Sequence, residues 1–173
     1  MASFTIPDIL KVASYRISEA AYYFSMEAKR CHDTNRQKYL RFLALEKNMQ
    51  KEVLFPIAKH LSLDISRLIW TDFSDYSYIS KNPAALADLS LKEVYTYTYQ
   101  HAIEEMHFYI SLIPFTSDTN ARHIINTLID LSRNFHHNAR RKYLEVLSRS
   151  ETHDNPVYME IKKSRKCPKV TVS

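Results

Sequence analysis

Along this chain of 173 residues, apolar side chains return every third or fourth position in four separate stretches, the period of a helix with one buried face. The first stretch carries Leu10, Ala13, Ile17, Ala20, Ala21, Phe24 and Ala28. Pro7 suits a first helical turn and Asp8 favours its positive end, so a helix is predicted from about Pro7 to just before Cys31. The second stretch, from about Thr34 to Leu61, lines up Leu40, Leu43, Lys47, Gln50, Leu54, Ile57, Ala58 and Leu61. Pro56 predicts a kink or an end nearby. Two polar residues, Lys47 and Gln50, interrupt the middle of this stripe. A Ser90-x-x-Glu93 capping box opens the third helix, whose stripe reads Tyr95, Tyr99, Ala102, Met106, Tyr109 and Ile113. The fourth helix starts around Ser117 and Asp118, with Ile125, Leu128, Ser132, Phe135, Ala139, Tyr143 and Val146 inward.

These segments predict an all-α fold, with a bundle over residues 1–149 and a basic C-terminal tail over 150–173. Residues 62–88 lack the period, apart from a short helix predicted over Leu63–Ile69. They are predicted to form a long crossover connection, so helices two and three need not be antiparallel neighbours. The two halves also repeat. Asp33-Thr34-Asn35 recurs as Asp118-Thr119-Asn120, an offset of 118 − 33 = 85. The same offset pairs Glu19 with Glu104, Phe24 with Tyr109, and Leu43 with Leu128 without a gap.

Composition narrows the choices. There is no glycine. That argues against a hairpin-rich β fold, whose tight turns favour glycine, and it rules out a P-loop or a dinucleotide-binding turn, which need glycine where the backbone meets phosphate. Net charge is +5, and much of the excess lies in Lys162, Lys163, Arg165, Lys166 and Lys169. A solvated tail is the default reading, and contact with nucleic acid or another acidic partner is the sharper alternative. Cys31 and Cys167 make no disulfide framework. The N-terminus carries no secretory pattern, and no run approaches the ~18 apolar residues of a membrane span, so no membrane association and a cytoplasmic location are expected.

Two sequence motifs carry a family likeness. Glu105-Met106-His107-Phe108-Tyr109 is an acidic-aromatic stretch ending in Phe-Tyr. Asp33 leads to Tyr39-Leu40-Arg41-Phe42-Leu43-Ala44, with Asp118 and Thr127-Leu128-Ile129 as its partner in the second half. Over about residues 8–148 the chain resembles the rubrerythrin-like di-iron proteins of the ferritin superfamily. That resemblance implies a ferritin-like four-helix bundle holding two irons, with one Glu from each of two helices and Glu-x-x-His from each of the other two. Transferred through these motifs, the single-Glu positions are Ile17 and Ala102. The Glu-x-x-His positions are Lys47 with Gln50 and Ser132 with Phe135. None of the six is a carboxylate or imidazole, so no metal and no cofactor are expected. The family's redox activities do not transfer.

Lys47 then stands in the core. Either it takes the place of a metal cation, held by Gln50, Ser132 and a hydroxyl of Tyr95 or Tyr99, or it reaches solvent along its aliphatic stem. A displaced ligand set of Glu19, Glu46, Glu104 and His136 is the alternative. It implies iron and a di-iron oxidoreductase or iron-handling role, but it requires a different register slip in different helices. The plainer reading of Glu19, Glu46, Glu104 and Glu105 is a solvated helix face. Glu104-x-x-His107 reads as an exposed ion pair, and His136 and His137 point about 100° apart. Tyr97 is expected outward, at a helix or dimer contact. The expectation is a non-catalytic bundle for association or small-ligand binding, assembled as a homodimer.

Overall fold

The computed structural model of the protein describes residues 4–63 and 85–154. Four helices account for most of them: α1 (Ile6–Arg30), α2 (Thr34–His60), α3 (Leu91–Leu112) and α4 (Thr119–Asp154). Short 3-10 turns at Leu86–Asp88 and Ile113–Phe115 precede and follow α3. No strand occurs among the described residues, and no helix there is long and apolar enough to cross a membrane. Residues 64–84 of the expected crossover, most of the short helix predicted over Leu63–Ile69, and residues 155–173 with most of the basic tail and Cys167 lie outside the described residues. Helix α4 continues to Asp154, beyond Arg149 where its apolar pattern fades.

Each helix start is fixed by a local cap. The Ser90 capping box forms as expected: Ser90 N–H donates to Glu93 Oε2 at 2.8 Å, and Glu93 N–H donates to Ser90 Oγ at 3.3 Å. A second box closes reciprocally between Thr5 and Asp8. Asp33 Oδ1 accepts from Arg36 N–H, and Asp118 Oδ1 from Asn120 N–H, both at 2.7 Å. The starts of α1 and α3, and those of α2 and α4, are equally spaced, since 91 − 6 and 119 − 34 are both 85.

Helix α2 passes through Pro56 and ends four residues later rather than breaking there. The carbonyl that Pro56 leaves without its N–H donor belongs to Glu52, and both residues are on the exposed side, where water can satisfy it. The helix closes with a Schellman motif. Leu63 N–H donates to Ala58 O at 2.9 Å and Ser62 N–H to Lys59 O at 3.0 Å. Ser62 takes the left-handed conformation at φ 56°, a position that glycine usually fills. Ser62→Gly is expected to raise unfolding free energy by about 0.5–1 kcal/mol, relief of the Cβ clash outweighing the added freedom of the unfolded chain. An unchanged or lower melting midpoint would count against strain at Ser62.

Side-chain pairs set the helix directions. Tyr39 meets Tyr143, Glu46 meets Asn138 and Gln50 meets Leu131, so α2 and α4 are antiparallel. Near the start of α2, the Arg36 guanidinium donates to Leu89 O, just before α3. Further along, Lys47 meets Glu105, and Leu54 and Ala58 share a cluster with Tyr109 and Leu112. Helices α2 and α3 therefore run in the same direction, and the end of α2 and the start of α3 lie at opposite ends of the bundle. The residues entering α3 are tied down as well, because Ala87 N–H donates to the buried Glu27 Oε2 at 2.8 Å.

Two apolar clusters fill the bundle. One gathers Phe24, Leu40, Leu43, Val94, Ala102 and Phe135; the other gathers Leu10, Ile17, Leu54, Tyr109, Ile125 and Leu128. Along α2, α3 and α4 the gap between them is occupied by Lys47, Glu105 and Ser132. The buried stripe of α3 corrects the sequence reading. It runs Val94, Thr98, Ala102, Glu105, Tyr109 and Leu112, one position away from the expected Tyr95, Tyr99, Met106 and Ile113. Thr98 can be buried because its hydroxyl donates to Val94 O at 2.8 Å. Tyr95 instead stacks on Tyr143 with centroids 4.4 Å apart, at the edge of the core. Tyr97 also turns inward, packing toward Tyr23 of α1.

Candidate functional site

At mid-bundle, three helices bring a cation, an anion and a hydroxyl together. Lys47 of α2 is 0 % exposed, which rules out the solvent-reaching alternative. Its Nζ donates to Glu105 Oε2 of α3 at 2.6 Å. Glu105 is 1 % exposed, so the expected solvated face does not include it. Ser132 Oγ of α4 lies 3.2 Å from the same carboxylate oxygen and 3.1 Å from Leu128 O, so its one proton serves one acceptor at a time. The Phe135 ring presents its face to the Lys47 ammonium, 4.4 Å from centroid to Nζ. An ammonium over an aromatic face with a carboxylate beside it is the pairing that makes a buried charge tolerable.

Burial pulls the Lys47 amine below its ordinary range. Glu105 opposes that shift and the Arg16 guanidinium adds to it. Arg16 is itself buried on α1, with its guanidinium carbon 4.4 Å over the Phe108 ring. The Tyr109 hydroxyl is pushed far up, first by burial and then by the charge of Glu105. The polar centre therefore extends from Lys47 through Glu105 towards Tyr109 and Arg16.

The six positions inferred from the family likeness are all buried: Ile17, Lys47, Gln50, Ala102, Ser132 and Phe135. Their partners differ from those expected. The carboxylate that holds Lys47 comes from Glu105, while Gln50 Nε2 donates across the helix interface to Leu131 O at 2.8 Å. Tyr95 packs on Tyr143, and Tyr99 meets His136 edge-on at 4.8 Å. Glu105 lies one turn from Ala102 on the same face, a signal present in the sequence. Arg16 gave no such signal.

The alternative ligand set is dispersed. Glu19 is nearly buried, contrary to the solvated reading, and its Oε1 accepts from the Tyr15 hydroxyl at 3.3 Å. Glu46 accepts from Asn138 Nδ2 at 2.8 Å. The Glu104 side chain is 69 % exposed and faces His101 at 3.6 Å, not His107 as the Glu-x-x-His reading had it. His136 packs against Tyr99 and His137. Among the described residues no group of three or more His, Cys, Asp or Glu side chains is placed to hold a metal ion. At the centre, Ile17, Ala102 and Phe135 have no donor atom, Gln50 and Ser132 offer only neutral oxygens, and Lys47 occupies one oxygen of the single carboxylate, Glu105. A di-iron centre does not fit these residues.

The His101 side chain on α3 is only 15 % exposed. Burial holds its imidazole below the usual 6.5, against the opposing charge of Glu104. Below pH 6.5 the unfolded chain binds a proton that folded His101 resists, so this stability contribution is present above 6.5 and is lost as pH falls toward the folded value. His101→Asn is expected to flatten the fall in stability between neutral and mildly acidic pH in denaturant titrations. An unchanged slope would contradict this assignment. No family model, curated protein or solved structure matches the chain.

Proposed function

We propose that this chain is a ferritin-like bundle of the rubrerythrin kind whose di-iron ligands have been replaced, and that it serves as a non-catalytic association or small-ligand-binding protein. The observation that carries this reading is the Lys47 ammonium on Glu105, at the level where the family likeness implies bridging metals. An ammonium neutralises a buried carboxylate much as a metal cation does, but it offers no open coordination position and no redox couple. The parallel course of α2 and α3 supports a ferritin-like crossover, and the equal spacing of helix starts supports a duplicated helix pair. A surface pocket of about 590 Å³ at one end of the bundle, with Ile57 and Ile124 in its walls and His60 and His123 also lining it, supports the small-ligand side of the reading.

Aerobic loading with ferrous iron, followed by visible spectroscopy and metal analysis, tests the proposal. The expected result is no oxo-bridged iron band and far less than one bound iron per chain. A band accompanied by about two irons per chain, the di-iron stoichiometry, would overturn it in favour of an iron-handling or di-iron redox protein.

A further inference from the structure

The outer face of α2 carries three exposed apolar side chains. Leu45, Met49 and Val53 follow one another at intervals of four and are 57 %, 56 % and 43 % exposed. Charges of opposite sign flank this patch on the same helix. Arg41 and Glu52 are both exposed, and neither makes an ion pair among the described residues. Eleven residues separate them, three turns or about 16 Å, which returns them to nearly the same side of the helix.

That arrangement is complementary to itself. A two-fold axis halfway between Arg41 and Glu52, with the helices antiparallel, brings each Arg41 level with the partner's Glu52. Leu45 and Met49 then lie within one turn of the axis, and the apolar patches cover each other. A parallel pairing would instead set Arg41 against the partner's Arg41. Closed two-fold pairing through one shared patch is the commonest form of homo-oligomer. We propose that the outer face of α2 is a homodimer interface, formed antiparallel with a second copy of this chain through Leu45 and Met49 and bracketed by two Arg41–Glu52 pairs. This inference rests on the association side of the functional reading and gives it a definite partner. It is independent of metal content, so iron loading and self-association can fail separately.

Sedimentation equilibrium of the full chain across a micromolar series tests it, with circular dichroism confirming that each variant is folded. Wild type is expected to dimerise. Arg41→Glu or Glu52→Arg sets like charges together at two symmetric contacts and is expected to weaken association about tenfold or more, while the double exchange Arg41→Glu/Glu52→Arg restores it. Leu45→Glu/Met49→Glu is expected to leave only folded monomer. A wild type that stays monomeric throughout the series would overturn the proposal. So would a dimer indifferent to the Leu45 and Met49 changes, or a double exchange no better than the single ones.

Discussion

Lys47→Met is expected to lower unfolding free energy by about 3–5 kcal/mol, because it leaves the Glu105 carboxylate buried without its counter-charge. Glu105→Leu should cost a similar amount by stranding the ammonium. The double replacement is expected to regain most of that loss, since two apolar side chains can fill the space of a buried ion pair with little or no penalty. Urea unfolding of the two singles and the double makes a thermodynamic cycle, and the coupling energy should be large and favourable. Near-additive effects, or a Lys47→Met loss below about 1 kcal/mol, would mean that the two charges are not energetically coupled across the 2.6 Å contact. The pair is thus fragile rather than strongly stabilising. Its net contribution is small because desolvating both charges offsets most of their attraction, yet either charge left alone is severely unfavourable.

Phe135→Ala carries the second large effect, also about 3–5 kcal/mol. The ring is buried, stacks on Phe24 with centroids 6.4 Å apart, and faces the Lys47 ammonium. Truncation therefore opens a cavity between the apolar cluster and the charged centre. Phe135→Leu separates the two contributions. It keeps much of the volume but removes the aromatic face, whose attraction for a desolvated ammonium is about 2 kcal/mol. In a Lys47→Met background that second part should vanish, so the Leu substitution should be markedly milder there. Equal losses in both backgrounds would assign Phe135 to packing alone.

Much of this arrangement was legible in the chain. The stripes of α1, α2 and α4 appear in the structure nearly position for position, because Leu, Ile, Ala and Phe at helical spacing leave few other ways to bury them. The polar interruptions Lys47, Gln50 and Ser132 were visible for the same reason. Helix α3 misled, because Tyr95 and Tyr99 look like core residues, whereas a tyrosine can stack at the edge of a core and Thr98 can satisfy its own hydroxyl inside. That shift of one position concealed Glu105, although Ala102 one turn earlier already marked the buried face. The left-handed Ser62 and the burial of Arg16 depend on contacts that no local pattern encodes.

The most direct test of the buried ammonium is nitrogen-detected NMR of the lysine side chains at neutral pH. Nζ protons held against Glu105 and sealed from water should exchange slowly. One protected lysine ammonium signal is expected, absent in Lys47→Met and perturbed in Glu105→Gln. A spectrum in which every lysine ammonium exchanges as fast as solvent-exposed ones would contradict a charged Lys47 enclosed at the centre of the bundle.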